Sequence, residues 1–253
     1  MQDKIILKEI SNFFIKERNS GKKLRNYQSQ VDFSNYFQKF KIDVDLENNK
    51  EIILQEETKL ELGGINKNSF SIIHVVEDSN LIKEGSITLL GLEIGEIEES
   101  NIDFGLFILI AINDNHSKEI EALKHLNFIS NGIEGFMIRT IPRRFWCRIN
   151  SIVINKNFSF EFLGNALIYL YRQKFGKLIK SIEIFFINSY PSSIQEFIKL
   201  SSEIIRRSRE NWKNKVEQWK KRVDCDYDWA CEICPYQDEC SDIKELLNNR
   251  NKI

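Results

Sequence analysis

The spacing of hydrophobic positions divides the start of this chain from the rest. Over residues 5–16 apolar side chains recur every three or four positions, which predicts an amphipathic helix, and a second short helix is expected over residues 32–40. The polar, glycine-containing stretch 19–31 between them is typical of a loop. The pattern therefore predicts a helical N-terminal extension over residues 1–46.

From about residue 51 the pattern changes to short apolar and β-branched runs that are separated by turn residues. Such runs predict strands, and in chain order they are EIIL, TKLEL, SFSIIHVV, SITLLGLEI and FGLFILIAI. Gly63 and Gly64 follow the second run and Gly91 interrupts the fourth, which indicates turns or close backbone approaches. A glycine pair without a longer phosphate-binding motif favours the turn over a phosphate cradle.

The second half of the chain alternates helical and strand patterns. In order, these are a helix over 117–130, two strands within 132–150 that meet at Pro142, strands at SIVI and FSFEF, a helix over 164–176, a buried strand at KSIEIFFIN and a long helix from Ser192 or Ser193 to about Arg222. The expected fold class is α+β, with a mixed sheet flanked by helices over residues 47–222. A C-terminal cysteine-rich, metal-binding tail over residues 223–253 follows it.

Composition and charge narrow the class of protein. The net charge of −1 gives no global attraction to nucleic acid, and 42% hydrophobic residues are typical of a folded globule. No run of about 18 apolar residues is present, and the first residues are charged and helix-periodic instead of signal-like. We therefore expect a cytoplasmic protein that binds neither nucleic acid nor a membrane.

Four of the five cysteines lie in one short acidic segment near the carboxyl terminus. Cys225, Cys231, Cys234 and Cys240 are spaced C-x5-C-x2-C-x5-C. A C-x2-C pair on a tight turn aims two thiolates at one point, and two more complete the tetrahedral sulfur set of a 4Fe-4S cluster or a structural zinc. The short segment and Pro235 after Cys234 favour the cluster. Zinc is the alternative, and disulfides or unliganded thiols are a third possibility.

A second candidate site combines arginines with an indole. Its residues lie within ten positions of one another and are Arg139, Arg143, Arg144, Trp146 and Arg148. Guanidinium groups pair with phosphate oxygens and an indole stacks on an aromatic base, so the pattern suits a ligand that carries both. The alternative is a basic, solvent-facing strand with Trp146 in the core. Cys147 alternates to the opposite strand face and is expected to be a buried small hydrophobe.

Several motifs, taken in order, resemble the acetyl-CoA synthase subunit of carbon monoxide dehydrogenase/acetyl-CoA synthase. TKLELGGINKNSFSII resembles the segment that opens the middle, CoA-associated domain of that family. The later matches are EGFM at 134–137, W-x-R-I at 146–149, a glycine-centred helix start at Gly164, FG at 175–176, the strand IEIFF, and WACEIC at 229–234, which is similar to the entry to the nickel-iron-sulfur A-cluster. The resemblance covers roughly residues 48–240.

The resemblance has implications for ligands and partners. It implies a CoA-associated α+β domain in which Trp146 corresponds to the CoA-adjacent tryptophan of the family and Arg148 to a family arginine. Arg139, Arg143 and Arg144 match no family residue and are candidates on chemistry alone. The family also implies anaerobic iron–sulfur chemistry and a carbon monoxide dehydrogenase or another redox protein as partner.

The cysteine pattern departs from that of the family. There the cluster cysteines run C-x2-C-x8-C-x9-C, whereas here the third follows after five residues and the fourth ligand must come from upstream, as Cys225. The C-G-C motif that chelates a second nickel does not occur before Ile253. We therefore expect an iron–sulfur protein without a complete nickel A-cluster and without acetyl-CoA synthase activity on its own. It would act as an electron-transfer or assembly accessory; the alternative is a non-catalytic interaction module with a structural zinc or inert cysteine tail.

Overall fold

A computed structural model describes most of the chain. The described residues are 2–30, 32–46, 52–64, 66–76, 78–113, 123, 132–141 and 144–223. The chain divides into two compact units, residues 1–199 and 200–253. Within the described ranges, no helix combines the length and the apolar character that a membrane crossing requires.

The secondary-structure elements are numbered along the described part of the chain. The helices are α1 (Gln2–Asn19), α2 (Phe33–Phe40), α3 (Ser151–Ile154), α4 (Phe160–Phe175) and α5 (Pro191–Val223). The strands are β1 (Leu24–Gln28), β2 (Thr58–Gly63), β3 (Ser69–Val76), β4 (Ser86–Leu90), β5 (Asn101–Ile102), β6 (Phe104–Ile112), β7 (Phe136–Ile141), β8 (Arg144–Asn150) and β9 (Ile179–Asn188). Short 3-10 helices cover Ser79–Leu81 and Ile94–Glu96.

The strands form two mixed sheets. The five-stranded sheet has the order β1-β4-β9-β6-β3, with the β4–β9 and β3–β6 pairs parallel and the other pairs antiparallel. The four-stranded sheet has the order β5-β2-β8-β7, with only the short β2–β5 pair parallel. The α+β class is confirmed, although the strands form two sheets where the sequence predicted one.

The main hydrophobic core lies between the two sheets and α4. On β9 the alternation of a strand sends Ile184 and Phe186 into this core, together with Cys147 and Ile149 of β8. Phe185 points to the opposite face of the five-stranded sheet. Both faces of β9 are therefore buried, which explains why its sequence is nearly continuous in apolar residues.

Helix α1 covers the second face of the five-stranded sheet. Its Phe14 stacks on Phe185 with ring centroids 4.8 Å apart, and Phe13 meets Phe197 of α5 edge-on at 5.0 Å. Phe70 of β3 stacks on the same Phe197 at 5.0 Å. Each buried phenylalanine contributes about 1.5–3 kcal/mol through its apolar surface. The helix that the three-and-four spacing predicted is confirmed, and so is α2, where the Asp32 side chain caps the first turn.

The loop predicted for residues 19–31 is wrong, because Leu24–Gln28 forms the edge strand β1. It pairs antiparallel with β4, with Leu24 opposite Leu90 and Gln28 opposite Ser86. An edge strand needs hydrogen bonds on one side only and keeps polar side chains in solvent, so its composition resembles that of a loop. The N-terminal segment is therefore part of the sheet. The domain boundaries at residues 46 and 222 remain predictions.

Two strands predicted after β8 are also wrong, because polar side chains start helices there. The Asn150 side chain accepts a hydrogen bond from the Ile152 amide at 2.8 Å, so SIVI turns into α3. The Ser159 hydroxyl likewise accepts from the Phe162 amide at 3.0 Å, and FSFEF opens α4. Capping outweighs the strand preference of β-branched and aromatic residues at both positions.

Other predicted boundaries shift by a few residues. Residues 52–54 of EIIL form no strand, and SITLLGLEI is a strand only up to Leu90, because Gly91 adopts a φ of +140°. The helix predicted from residue 164 begins at Phe160 and ends at its Gly176 cap as expected, and the long helix begins at Pro191. Most of the predicted helix over 117–130 lies outside the described residues.

Candidate functional site

The candidate arginine and tryptophan residues lie on the outer face of the four-stranded sheet. Along β8 the side chains of Phe145, Cys147 and Ile149 point inward and are at most 4% exposed. Trp146 and Arg148 point to the other face and are half-buried. The prediction that Cys147 is a buried small hydrophobe is confirmed, and the alternative that Trp146 belongs to the core is wrong.

The strand register brings three of the predicted site residues together. Trp146 lies opposite Arg139 of β7 on one side and Gly63 of β2 on the other. Arg148 lies opposite Glu61 of β2. Directly opposite residues of an antiparallel pair hold their side chains about 5 Å apart, so Arg139, Trp146 and Arg148 share one patch. We call these three residues the Trp146 face.

Arg148 is fixed in place by neighbouring polar groups. Its Nε donates to Glu61 Oε2 at 2.9 Å, and its Nη1 donates to the carbonyl of Ile53 at 3.1 Å. Glu61 Oε1 accepts in turn from Asn101 Nδ2 at 3.2 Å. The remaining nitrogen, Nη2, donates no hydrogen bond to any described residue. Arg148 therefore offers one oriented N–H edge to a ligand, whereas Arg139 is exposed and its guanidinium forms no hydrogen bond or ion pair with a described residue.

Two positions beside Trp146 accept only glycine, because of their backbone conformation and of the atoms close to them. Gly63 and Gly64 have φ values of +79° and +112°. A Cβ on Gly63 would lie 2.5 Å from the Phe145 carbonyl oxygen, and one on Gly64 would lie 2.8 Å from Glu61 Oε1. The turn prediction is confirmed. Because Gly64 has no side chain, it leaves room for the Glu61 carboxylate beside the backbone.

Other predicted site residues lie wholly or partly outside the described part of the chain. Arg144 begins β8 opposite Ile141, but its side chain is not described, and Arg143 is outside the described residues. The same holds for all four predicted metal ligands, Cys225, Cys231, Cys234 and Cys240. Within the described residues, no cluster of three or more His, Cys, Asp or Glu side chains could hold a metal ion.

The remaining cysteine is unsuited to ligation. Cys147 is completely buried, and this burial raises the pKa of its thiol well above the ordinary value. A metal ligand must be a thiolate, so a raised pKa disfavours that role. The metal prediction therefore rests on the cysteines of the tail alone.

Glu61, which orients the candidate arginine, was not predicted from the sequence. Glu61 lies in TKLEL, where the alternation places it on the polar face of a strand. That alternation could have identified the face of the sheet but not the partner, because the pairing of β2 with β8 joins residues 87 positions apart.

Comparisons with known proteins place this fold in a family. Residues 40–191 match the family model described as CO dehydrogenase/acetyl-CoA synthase complex beta subunit. This range contains β2 to β9 and the Trp146 face, and it ends before the cysteine tail. The family resemblance inferred from the ordered motifs is confirmed.

Two curated relatives have the same printed name, acetyl-CoA decarbonylase/synthase complex subunit beta. The chain is 26% identical over 169 residues to that of Methanopyrus kandleri and 25% identical over 170 residues to that of Methanothermobacter thermautotrophicus. Each alignment covers 66% of this chain but 36% of the relative, so the chain matches about a third of the length of these proteins. Because the family model spans more than half of the chain, the protein belongs to the CO dehydrogenase/acetyl-CoA synthase complex beta subunit family.

Proposed function

We propose that this protein is an iron–sulfur accessory subunit that binds CoA or a related nucleotide on the Trp146 face. The observation that supports ligand binding most strongly is the register of β7 and β8, which places Arg139 beside Trp146 and Arg148 one pair further along the same face. Family membership supports the same function, because the matched range includes this face.

Each residue of the face has a distinct part in the proposed complex. The half-buried indole of Trp146 stacks on the aromatic base of the ligand. The exposed guanidinium of Arg139 pairs with phosphate oxygens through a bidentate contact. Arg148 donates from Nη2 while Glu61 and the Ile53 carbonyl hold its other nitrogens, so its contact is already oriented before the ligand arrives. In the sequence, Arg143 and Arg144 add two further positive charges just before Trp146.

The proposed metal centre is a 4Fe-4S cluster held by the four cysteines of the tail. Cys225, Cys231, Cys234 and Cys240 provide the four thiolates that such a cluster requires. A bound cluster would supply one-electron transfer. The acidic residues among these cysteines disfavour the addition of negative charge and would lower its reduction potential. Zinc in the same sulfur set is the alternative occupant.

The proposed role is electron transfer or assembly beside a partner of the CO dehydrogenase type. The curated relatives are named as beta subunits of a multi-subunit complex. A chain with the matched domain and an inorganic centre could dock in a similar assembly. It could pass electrons to that assembly, or hold a ligand or cluster while the assembly matures. This role and the partner are part of the proposal.

Titration of CoA against tryptophan fluorescence tests the ligand proposal. We expect saturable quenching in the wild-type protein, loss of the response in Trp146→Phe, and an unchanged response in Trp212→Phe. Arg139→Ala should weaken binding by about tenfold or more, which corresponds to one charge-assisted contact. A titration without response in the wild-type protein, or one retained in Trp146→Phe, would show that the face does not bind CoA.

A further inference from the structure

A cavity of about 280 Å³ lies between α1 and the helix-covered face of the five-stranded sheet. Fourteen described residues line it, among them Phe14 and Arg18 of α1, Asn26 of β1, Thr88 of β4 and Glu183 of β9. More than half of these precede residue 40, where the family match begins. The cavity is thus built by an N-terminal segment, α1 and β1, that lies outside the matched family domain, and it is on a different sheet from the Trp146 face.

The sheet contributes two buried polar side chains to this cavity. Glu183 of β9 is 7% exposed and Thr88 of β4 is 6% exposed. Glu183 Oε2 accepts a hydrogen bond from the Lys83 amide at 3.1 Å, and the carboxylate accepts no other hydrogen bond from a described residue. Thr88 donates its hydroxyl proton to Asn26 Oδ1 at 3.1 Å, which leaves lone pairs on its oxygen. A carboxylate buried with a single donor is costly unless a further donor reaches it.

The cavity has a negatively charged group in its interior and positively charged groups at its surface. Glu183 is buried, whereas Arg18 and Lys83 are exposed and form no ion pair with a described residue. The two cations outnumber the carboxylate, so a ligand with only a positive charge would be repelled at the entrance. The walls between these groups are mostly apolar and include the rings of Phe14 and Phe185.

We propose that this cavity binds a small zwitterion of the amino-acid type with an apolar side chain. The ammonium group of the ligand donates to Glu183, its carboxylate pairs with Arg18 or Lys83, and its side chain packs among the apolar walls. The volume, near the lower limit for ligand pockets, suits a molecule of this size. Because α1 forms one wall, ligand binding would also tie the N-terminal segment more tightly to the sheet.

The ionisation of Glu183 agrees with this geometry. Burial raises the pKa of its carboxyl to about 7, and the Lys83 amide and the Lys83 charge oppose this shift. The carboxyl is therefore close to half-protonated at neutral pH. A ligand ammonium beside it would favour the ionised form, because opposite charges at short distance stabilise each other.

Ligand-observed NMR with free amino acids tests the inference. We expect an apolar amino acid such as L-leucine or L-phenylalanine to bind the intact protein at concentrations up to about 10 mM, within the weak range for such small ligands. Phenethylamine and 3-phenylpropionate lack the carboxylate and the amine, respectively, and each should bind at least about tenfold more weakly than L-phenylalanine.

Two variants locate the site, and a third is the control. Glu183→Gln should weaken binding by about tenfold or more, since it removes the charge but keeps the shape and the contact with the Lys83 amide. Ser11→Phe, on the exposed rim, should block the cavity without touching Glu183. Glu98→Gln, an exposed change elsewhere, should bind as the wild type does. Absence of binding by every amino acid, equal binding of phenethylamine, or undiminished binding by both Glu183→Gln and Ser11→Phe would each overturn the proposal.

Discussion

Arg148 and Glu61 form an ion pair across the β2–β8 ladder, with 2.9 Å between Nε and Oε2. Both side chains are less than a quarter exposed, at 23% and 22%. A second nitrogen of Arg148 binds the carbonyl of Ile53. Arg148 therefore stabilises the outer face of the four-stranded sheet, whereas its neighbour Arg139 on the same face pairs with none of the residues that the structure describes.

This difference predicts that the two arginines respond differently to removal. Arg148→Ala should lower the free energy of unfolding by about 1–3 kcal/mol, because it leaves the Glu61 carboxylate and the Ile53 carbonyl without their donor. Arg139→Ala should change it by no more than about 0.5 kcal/mol, as is usual for an exposed side chain. Urea denaturation monitored by circular dichroism measures both values. Equal losses in the two variants would contradict the assigned roles.

Gly91 and Asn188 provide a second, purely structural prediction. Asn188 accepts from the Leu92 amide at 2.8 Å and donates to the Leu92 carbonyl at 2.9 Å, which clamps the turn after β4. A Cβ at Gly91 would lie 2.1 Å from Asn188 Oδ1, and the φ of +140° is unfavourable for other residues. Gly91→Ala should therefore cost roughly 2–4 kcal/mol.

Gly95 is the matched control for this substitution. It lies four residues away, its φ is not positive, and a Cβ there would meet nothing within 4 Å. Gly95→Ala should stay within about 0.5 kcal/mol of the wild type. Thermal or urea unfolding measures the stability of both variants. A Gly91→Ala protein as stable as Gly95→Ala would show that the turn beside Asn188 tolerates a side chain at position 91.

The thiol of Cys147 should not react with alkylating reagents in the native protein. Burial raises the pKa of its thiol and excludes reagents, so we expect iodoacetamide to label it only after denaturation. Peptide mass spectrometry of native and urea-treated samples identifies the labelled positions. Labelling of Cys147 under native conditions as fast as in urea would mean that the core between the sheets opens readily.

The buried carboxyl of Glu183 predicts a pH dependence of stability. Its folded-state pKa of about 7 lies above the ordinary value of 4.5, so the folded state binds the proton more tightly than the unfolded state. The contribution of this carboxyl to the free energy of unfolding is fully present below pH 4.5. It is lost as the pH rises through about 7. The loss amounts to roughly 3 kcal/mol at most.

Urea unfolding at about pH 5 and about pH 8 measures this effect, since the two values flank the folded-state transition. In the wild type the free energy of unfolding should decrease from about pH 5 to about pH 8. Glu183→Gln should remove most of this decrease, whereas Glu98→Gln should retain it. An identical decrease in Glu183→Gln would assign the pH dependence to other groups.

Local patterns predicted the elements that repeat a regular spacing. The alternation around Cys147 correctly separated the buried side of β8 from the side that carries Trp146 and Arg148. The three-and-four spacing around Phe13 and Phe14 correctly predicted α1. In these segments the buried face and the element period agree, so the sequence alone carries the information.

The errors occur where a distant partner or a single cap decides the structure. Strand β1 has a loop-like composition and exists because β4 offers it hydrogen-bonding groups about 60 residues further along the chain. The caps at Asn150 and Ser159 convert predicted strands into α3 and α4. The ion pair of Arg148 with Glu61 could not be predicted from the sequence either, because it depends on which strands become neighbours.

The most direct test of the proposed function is the iron and acid-labile sulfide content of protein purified without oxygen. We expect about four of each per chain, the composition of a 4Fe-4S cluster. Cys234→Ser should lose most of this content, and Cys147→Ser should keep it. Protein that contains neither iron nor sulfide, whether it holds zinc or no metal at all, would contradict the account.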